Sequence, residues 1–533
     1  MIKRTESETP SKKRRSRGAR SKRRRMMMEG LEQRQLLAAV PVNIPDVDVP
    51  NFTGARNIGT VQAFAYLESE TSAQFGQNDS LATADFVPLG TGAGQQDTID
   101  ITGNMPFTTI RPPIALPDGT IISQSFSADL DVFSFDLRAG DILDVATLSA
   151  AGSFIVYYED GTPWFAIDDN QVLTGTFAGN PDFSYPVDSP LQTSGNAVYA
   201  QVVPEDGRYY LSIAPTNIQS SYTVGLRVYR PVVEQLPIGA QQYIYIDMDG
   251  GLFPTTVLND GSGVPQVGII RYETLRNSLP LIGLDPLDDA TFDRFIDLTI
   301  AEVERQFAFL GMEGNAGDFD STGTPGDYGV TILNSRDHLD PGNSELVTRV
   351  MLGDVSASIG GPAGLFGVST TVDVGNFSMD DTVFVVLDAI QASATGVPIS
   401  NSASVLEATA DLIALTVSHE AAHSFGIRHT ERANTVVSVI DGGVDDAQDL
   451  GVGLDGIYGT LDDVPVDFID DQYAVAEGIF GTNRVTDGLA NTLVTGTVGG
   501  SVSGQVFNDV NRDGAVGNDP GLAGVVVFAD LDG

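Results

Sequence analysis

The chain has 533 residues, too long for one compact core, so three or more folded units joined by connecting segments are expected. Its 29 Lys and Arg against 71 Asp and Glu give a formal net charge of -42, and 13 of the basic residues fall before residue 37, which leaves an acidic body suited to calcium and not to nucleic acid. The lack of cysteine excludes disulfides and thiol ligands, and no apolar run is long enough to span a bilayer as a helix.

Residues 1–39 open with Lys-Arg clusters, Lys12-Lys13-Arg14-Arg15 and Lys22-Arg23-Arg24-Arg25, a composition that belongs to a disordered segment. By itself it also fits a nucleic-acid arm. Leu31-Glu32-Gln33-Arg34-Gln35-Leu36-Leu37-Ala38-Ala39 follows and resembles the leader of large surface proteins of planctomycete-type bacteria, which implies export and cleavage near Ala39. Its apolar core is shorter than that of a conventional signal peptide, so export rests on the resemblance and not on hydropathy.

Pro41 to Pro50 holds three prolines in ten residues and reads as an extended linker. From 51 to 230 short alternating strands are separated by turn residues, as in Val132 to Leu137 followed by Arg138-Ala139-Gly140-Asp141, the pattern of an all-β sandwich. Asp129 to Phe135, Gly207 to Leu211 and Ser221 to Val224 resemble the bacterial pre-peptidase C-terminal domain, a jelly-roll-like companion of secreted peptidases. A generic binding or spacer sandwich explains the same pattern equally well.

After a second linker, Pro231 to Gly239, the periodicity becomes mixed. Tyr243 to Ile246 is a candidate buried strand; Phe292, Phe295, Ile296, Val303, Phe307 and Leu310 share one helical face, with Gly311 as the expected stop. Gly329 to Leu333 and Thr382 to Leu387 are further strands, the second apolar throughout and therefore interior.

Ser418-His419-Glu420-Ala421-Ala422-His423-Ser424-Phe425-Gly426-Ile427-Arg428-His429 carries the chemistry. Val405, Ala408, Leu412, Leu415 and Thr416 fall at helical spacing, so His419 and His423 stand one turn apart on one face and can reach a single Zn²⁺ at about 2.0–2.1 Å. Glu420 turns away from the ligand axis toward the fourth coordination position, where it can act as general base. Gly426 allows the sharp turn that brings His429 back as third ligand. Three ligands and one open position define a catalytic zinc site rather than a structural one. Three of the four histidines of the chain occupy this motif, which chance would assemble on the order of once in a million chains. His338, the fourth, reads as a solvent-exposed loop residue.

The extended motif resembles that of the metzincin metallopeptidases, and the resemblance covers residues 236–497. It implies an α+β zincin domain, zinc as cofactor, a protein or peptide substrate, and Gly364 to Thr370 as the edge strand that binds substrate in extended form. Two positions depart from that family. Ile440 stands where its methionine turn has methionine, and Thr430, after the third histidine, matches none of the subfamily residues. Tyr458 and Tyr473 are candidate oxyanion donors. Nine aspartates between Asp445 and Asp471 fit either calcium binding or a solvated surface.

Gly504 to Gly514 and Gly521 to Val527 resemble the opening strands of an SdrD B-like repeat of bacterial surface adhesins, placed at 501–533 as part of a longer module. Asp509, Asn511 and Asp513 alternate before Gly514 and are candidate calcium ligands, without the bidentate acid of an EF-hand. The expectation for the whole chain is a secreted or cell-surface zinc metalloendopeptidase with Glu420 catalytic, His419, His423 and His429 as ligands, and calcium as a second ion. No transmembrane span and no nucleic-acid partner are expected. The alternative is a surface adhesin whose metzincin-like domain is inactive.

Overall fold

A computed structural model describes residues 60–493 apart from 70–76, 91–94, 106–107, 110–113, 116–120, 123–125, 128–129, 150, 168–184, 187–188, 216–219, 231–241, 255–267, 317–329, 342–346, 370, 379 and 444. The leader, both proline linkers and the C-terminal repeat with Asp509, Asn511 and Asp513 lie outside the described residues.

The main N-terminal strands are β1 (Thr60–Leu67), β2 (Asp85–Phe86), β3 (Gln95–Met105), β4 (Asp131–Leu137), β5 (Ile142–Ser149), β6 (Ala151–Tyr157), β7 (Pro163–Ile167), β8 (Ala197–Val202), β9 (Gly207–Pro215) and β10 (Ser220–Tyr229). They form two sheets, one ordered β1-β3-β10-β5-β8 and the other starting β2-β4-β9-β6-β7. Alternation explains the packing: Phe133, Phe135 and Leu137 of β4 and Leu143 and Val145 of β5 point into one shared core, while Asp136 is exposed. The expected sandwich is therefore present. Its first sheet also buries its other face, since Ile142, Ala200, Val202 and Tyr229 cluster with Val372, Val374 and Phe377 from the second half of the chain.

That second half contains β11 (Gln242–Asp247), α1 (Asp289–Ala316), β12 (Val330–Asn334), β13 (Val347–Leu352), β14 (Gly367–Ser369), β15 (Asp380–Val385), α2 (Val405–Ser424), β16 (Asp471–Gln472), β17 (Ile479–Asn483) and α3 (Val485–Thr492). Its sheet is ordered β12-β11-β13-β15-β14. Four strands run parallel and β14 joins the edge antiparallel, with Val368 opposite Phe384. All of β11 is buried, as its continuous apolar run requires of a strand covered on both faces.

The apolar face of α1 is buried at Phe292, Phe295, Ile296, Val303 and Phe307. The helix runs past Gly311 to Ala316, so the expected stop is corrected: one interior glycine costs about 1 kcal/mol relative to alanine, a weakness and not a terminator. Helix α2 starts with a capping box, in which Ser404 Oγ accepts from the Glu407 amide at 3.2 Å and Glu407 Oε2 accepts from the Ser404 amide at 2.8 Å. Packed against α1 and the sheet, it is buried almost throughout. His338 is half-buried in the turn after β12, where its Nδ1 lies 3.3 Å from the Asn334 amide. The exposed loop position expected for it is corrected, because the turn folds back on the end of its own strand.

The two halves share a sheet. β17 pairs antiparallel with sandwich strand β7, Phe165 opposite Gly481, and β16 adds beyond it, giving the order β2-β4-β9-β6-β7-β17-β16.

Candidate metal centre

Helix α2 presents His419 and His423 one turn apart, and the chain reverses at Gly426, whose φ is 87°. A Cβ on Gly426 would lie 2.6 Å from Val374 Cα, so both the left-handed backbone and the close approach require glycine. The reversal returns His429 to the other two rings. His429 Nε2 is 3.2 Å from His423 Nε2 and 3.2 Å from His419 Nε2.

Each ring is fixed from behind by an oxygen. His419 Nδ1 lies 2.8 Å from the Val439 carbonyl, His423 Nδ1 2.7 Å from the Ile427 carbonyl, and His429 Nδ1 2.6 Å from Glu477 Oε1. A carbonyl or carboxylate oxygen only accepts, so each Nδ1 carries a proton and each Nε2 faces the shared centre. Two nitrogens held about 2.05 Å from one zinc ion at a near-tetrahedral angle are about 3.3 Å apart, so the spacing and donor chemistry fit zinc. Burial, then the neighbouring His429, push His419 down to about 3; burial and the other two rings hold His423 well below its usual range. Both are therefore neutral near pH 7, the form that binds metal.

Glu420 is 6% exposed and lines the same cleft, of about 250 Å³, as the three histidines. Burial pushes its carboxyl up to about 8, against the opposing hydrogen bond from the Ser369 amide of β14. The strand can come this close because Gly367 has no side chain: a Cβ there would sit 2.7 Å from Glu420 Cγ and Oε1. Among the described residues β14 pairs on one side only, with β15, and Leu365, Phe366 and Val368 line the cleft beside it.

Ile440 is fully buried in the core of this half, and the turn acts through its backbone. Val439 holds His419, while the Thr430 amide donates to the Ile440 carbonyl at 3.0 Å and Thr430 Oγ1 donates to Asp441 Oδ1 at 2.7 Å. Thr430 is thus the anchor of that turn. Tyr458 and Tyr473 do not line the cleft. The Tyr458 hydroxyl donates to Asp411 Oδ2 at 2.5 Å, and the Tyr473 hydroxyl accepts from Tyr199 at 3.0 Å, so both are engaged away from it. Arg432, with Nη2 donating to Asp449 Oδ1 at 2.8 Å, forms a polar wall that the sequence did not single out.

Glu477 was likewise missed, since it lies 48 residues beyond His429 in a segment with no periodic signal. Burial works against its ionisation, but the hydrogen bond with His429 and the Arg428 charge bring its carboxyl down to about 2. Within the acidic loop, Asp455, Asp462 and Asp463 come together with ligand atoms within 4.8 Å of one another. Loop amides of Gly453, Asp455 and Thr460 bond to the carboxylates of Asp462 and Asp463, which accounts for the cluster.

No family model and no curated protein matches the chain. Part of it is similar to solved structures. The periplasmic g-type lysozyme inhibitor PliG of Salmonella Typhimurium is 15% identical over 27% of this chain and 99% of its own, with a TM-score of 0.15. The pre-peptidase C-terminal domain of a Bacillus anthracis collagenase is 14% identical over 27% of this chain and 93% of its own, with a TM-score of 0.14. PliG of Aeromonas hydrophila is 11% identical over 27% and 96%, with a TM-score of 0.15. At these scores the likenesses carry no functional argument. Among the described residues no helix is long and apolar enough to cross a membrane.

Proposed function

We propose that the chain is an exported zinc metalloendopeptidase that hydrolyses peptide bonds in extended protein substrates. The observation that carries this reading is the convergence of three histidine Nε2 atoms beside a buried carboxyl, in a cleft walled by a strand that has one free edge among the described residues. When bound, zinc would supply Lewis-acid activation of water and of the scissile carbonyl. His419, His423 and His429 hold the ion, their rings locked by Val439, Ile427 and Glu477. The charge of a bound ion would favour the ionised carboxylate of Glu420, which then accepts the proton of the attacking water and returns it to the leaving amine. The free edge of β14 takes the substrate as an added strand, which lays the scissile bond across the histidines, and the apolar residues along it receive a substrate side chain.

Export is supported by the resemblance of residues 31–39 to the leader of bacterial surface proteins, and calcium as a second ion by the acidity of the body and by Asp509, Asn511 and Asp513. Glu420→Gln tests the enzymatic reading. One zinc per chain is expected to remain while casein hydrolysis falls about a hundred- to ten-thousand-fold; equal hydrolysis by both proteins overturns it. A wild-type chain that binds zinc but cleaves nothing in a panel of denatured proteins supports the adhesin alternative.

A further inference from the structure

Arg428, the residue before the third histidine, is 1% exposed. Its Nη1 donates to Glu477 Oε2 at 3.4 Å, while the other oxygen of Glu477 holds His429 Nδ1. The opposite side of the guanidinium meets the sandwich: its Cζ lies 5.5 Å from the ring centroid of Tyr199, which β8 contributes fully buried. The Arg428 carbonyl accepts from Asn483 Nδ2 at 2.6 Å, and Asn483 ends β17, the strand paired with sandwich strand β7. Tyr199 also donates to the Tyr473 hydroxyl, and Ala474, next in sequence, donates its amide to the His429 carbonyl at 3.0 Å.

A guanidinium removed from water needs compensating partners. Glu477 supplies one and the Tyr185 hydroxyl interacts with the guanidinium as well, while the Tyr199 ring adds an aromatic face that stabilises the cation. If the Tyr199 ring is removed, Arg428 loses its seat and is free to turn toward water. Glu477 then loses the charge that orients it, and the His429 ring loses its fixed direction. Groups behind a ligand that orient it in this way typically contribute 10- to 100-fold in metal affinity.

We propose that Tyr199 is a positioning residue for the metal centre, acting through Arg428 and Glu477 on the ring of His429, so that the N-terminal sandwich is a working part of the site and not an appended binding module. This rests on the reading that the three histidines hold a metal ion.

The test uses the full chain, with zinc affinity measured by chelator competition, the visible bands of the Co²⁺-substituted protein, and circular dichroism to verify folding. Tyr199→Leu is expected to bind zinc about tenfold more weakly with shifted Co²⁺ bands. Tyr199→Phe, which keeps a ring over the guanidinium, restores both to near wild type. Tyr209→Phe, which removes a sandwich hydroxyl bonded to the Glu205 carbonyl, leaves both unchanged. A folded Tyr199→Leu protein with wild-type affinity and bands overturns the proposal, as does an equal loss in Tyr209→Phe, which would mark a general structural effect. Should Tyr199→Leu not fold, Arg428→Met probes the link from its other end, with the same expected loss and the same overturning result. A wild-type chain that takes up neither ion defeats the metal reading itself, an outcome distinct from a variant that matches wild type.

Discussion

Glu477 Oε1 stands 2.6 Å from His429 Nδ1, a carboxylate behind the one histidine of the three that lies outside helix α2. His419 and His423 are aimed by the helix and by backbone carbonyls, whereas His429 follows a turn and depends on a side chain brought from 48 residues away. Replacement of Glu477 by Gln keeps an acceptor but removes the charge that raises ligand basicity. Zinc affinity by chelator competition is expected to fall about 10- to 100-fold. An unchanged affinity would show that the carboxylate only fills space.

Gly367→Ala is expected to spare the metal and impair turnover. The new Cβ meets Glu420 Cγ and Oε1 at 2.7 Å, so the carboxyl must move, and displacement of a reacting group by about 1 Å costs on the order of 100-fold in rate. The three histidines lie off this contact. Zinc stoichiometry and kcat measured together check it: loss of the metal, or full activity, contradicts the expectation.

Ile440→Met places methionine at the position that the metzincin resemblance reserves for it. The side chain is fully buried and the swap nearly conserves volume, so urea denaturation should differ by less than about 1.5 kcal/mol. Because the turn holds His419 through the Val439 carbonyl, zinc affinity should stay within about threefold of wild type on the scale of groups behind a ligand. A large gain in either quantity would mean that the isoleucine is a defect.

The sandwich should lose stability as pH rises from about 4 to about 8. Burial pushes the Asp144 carboxyl up to about 7, against hydrogen bonds from Gln192 and the charge of Arg227. A folded-state value above the unfolded one means that the native form binds the proton more tightly between the two. The contribution is complete below the unfolded value near 3.9 and is lost as pH passes through about 7. Asp144→Asn should therefore flatten the profile of Tm against pH and exceed wild type at pH 8.5. A wild-type profile that is level from pH 5 to 8.5 contradicts this.

The convergence of the three histidines was legible because their relation is local. An i, i+4 pair on a helix, a glycine at the reversal and a third histidine three residues later fix a geometry that backbone rules alone predict. The strands were legible for the same reason, since the apolar run of β11 states that both its faces are covered. Gly311 misled because a residue that often ends helices weakens an interior position without ending the helix.

By itself the sequence determined which side chains can meet a metal, through periodicities of two and 3.6 residues, and it determined the charge of the body. Only the tertiary structure decided what holds those side chains: Glu477 behind His429, Ser369 and Gly367 against Glu420, Thr430 under the Ile440 turn, and Tyr199 over Arg428. Apart from Thr430 and its turn, these partners are separated by dozens to hundreds of residues with no shared period, so their pairing follows from how β14, β17 and the sandwich pack, and packing is a property of the folded surfaces and not of any local window of sequence.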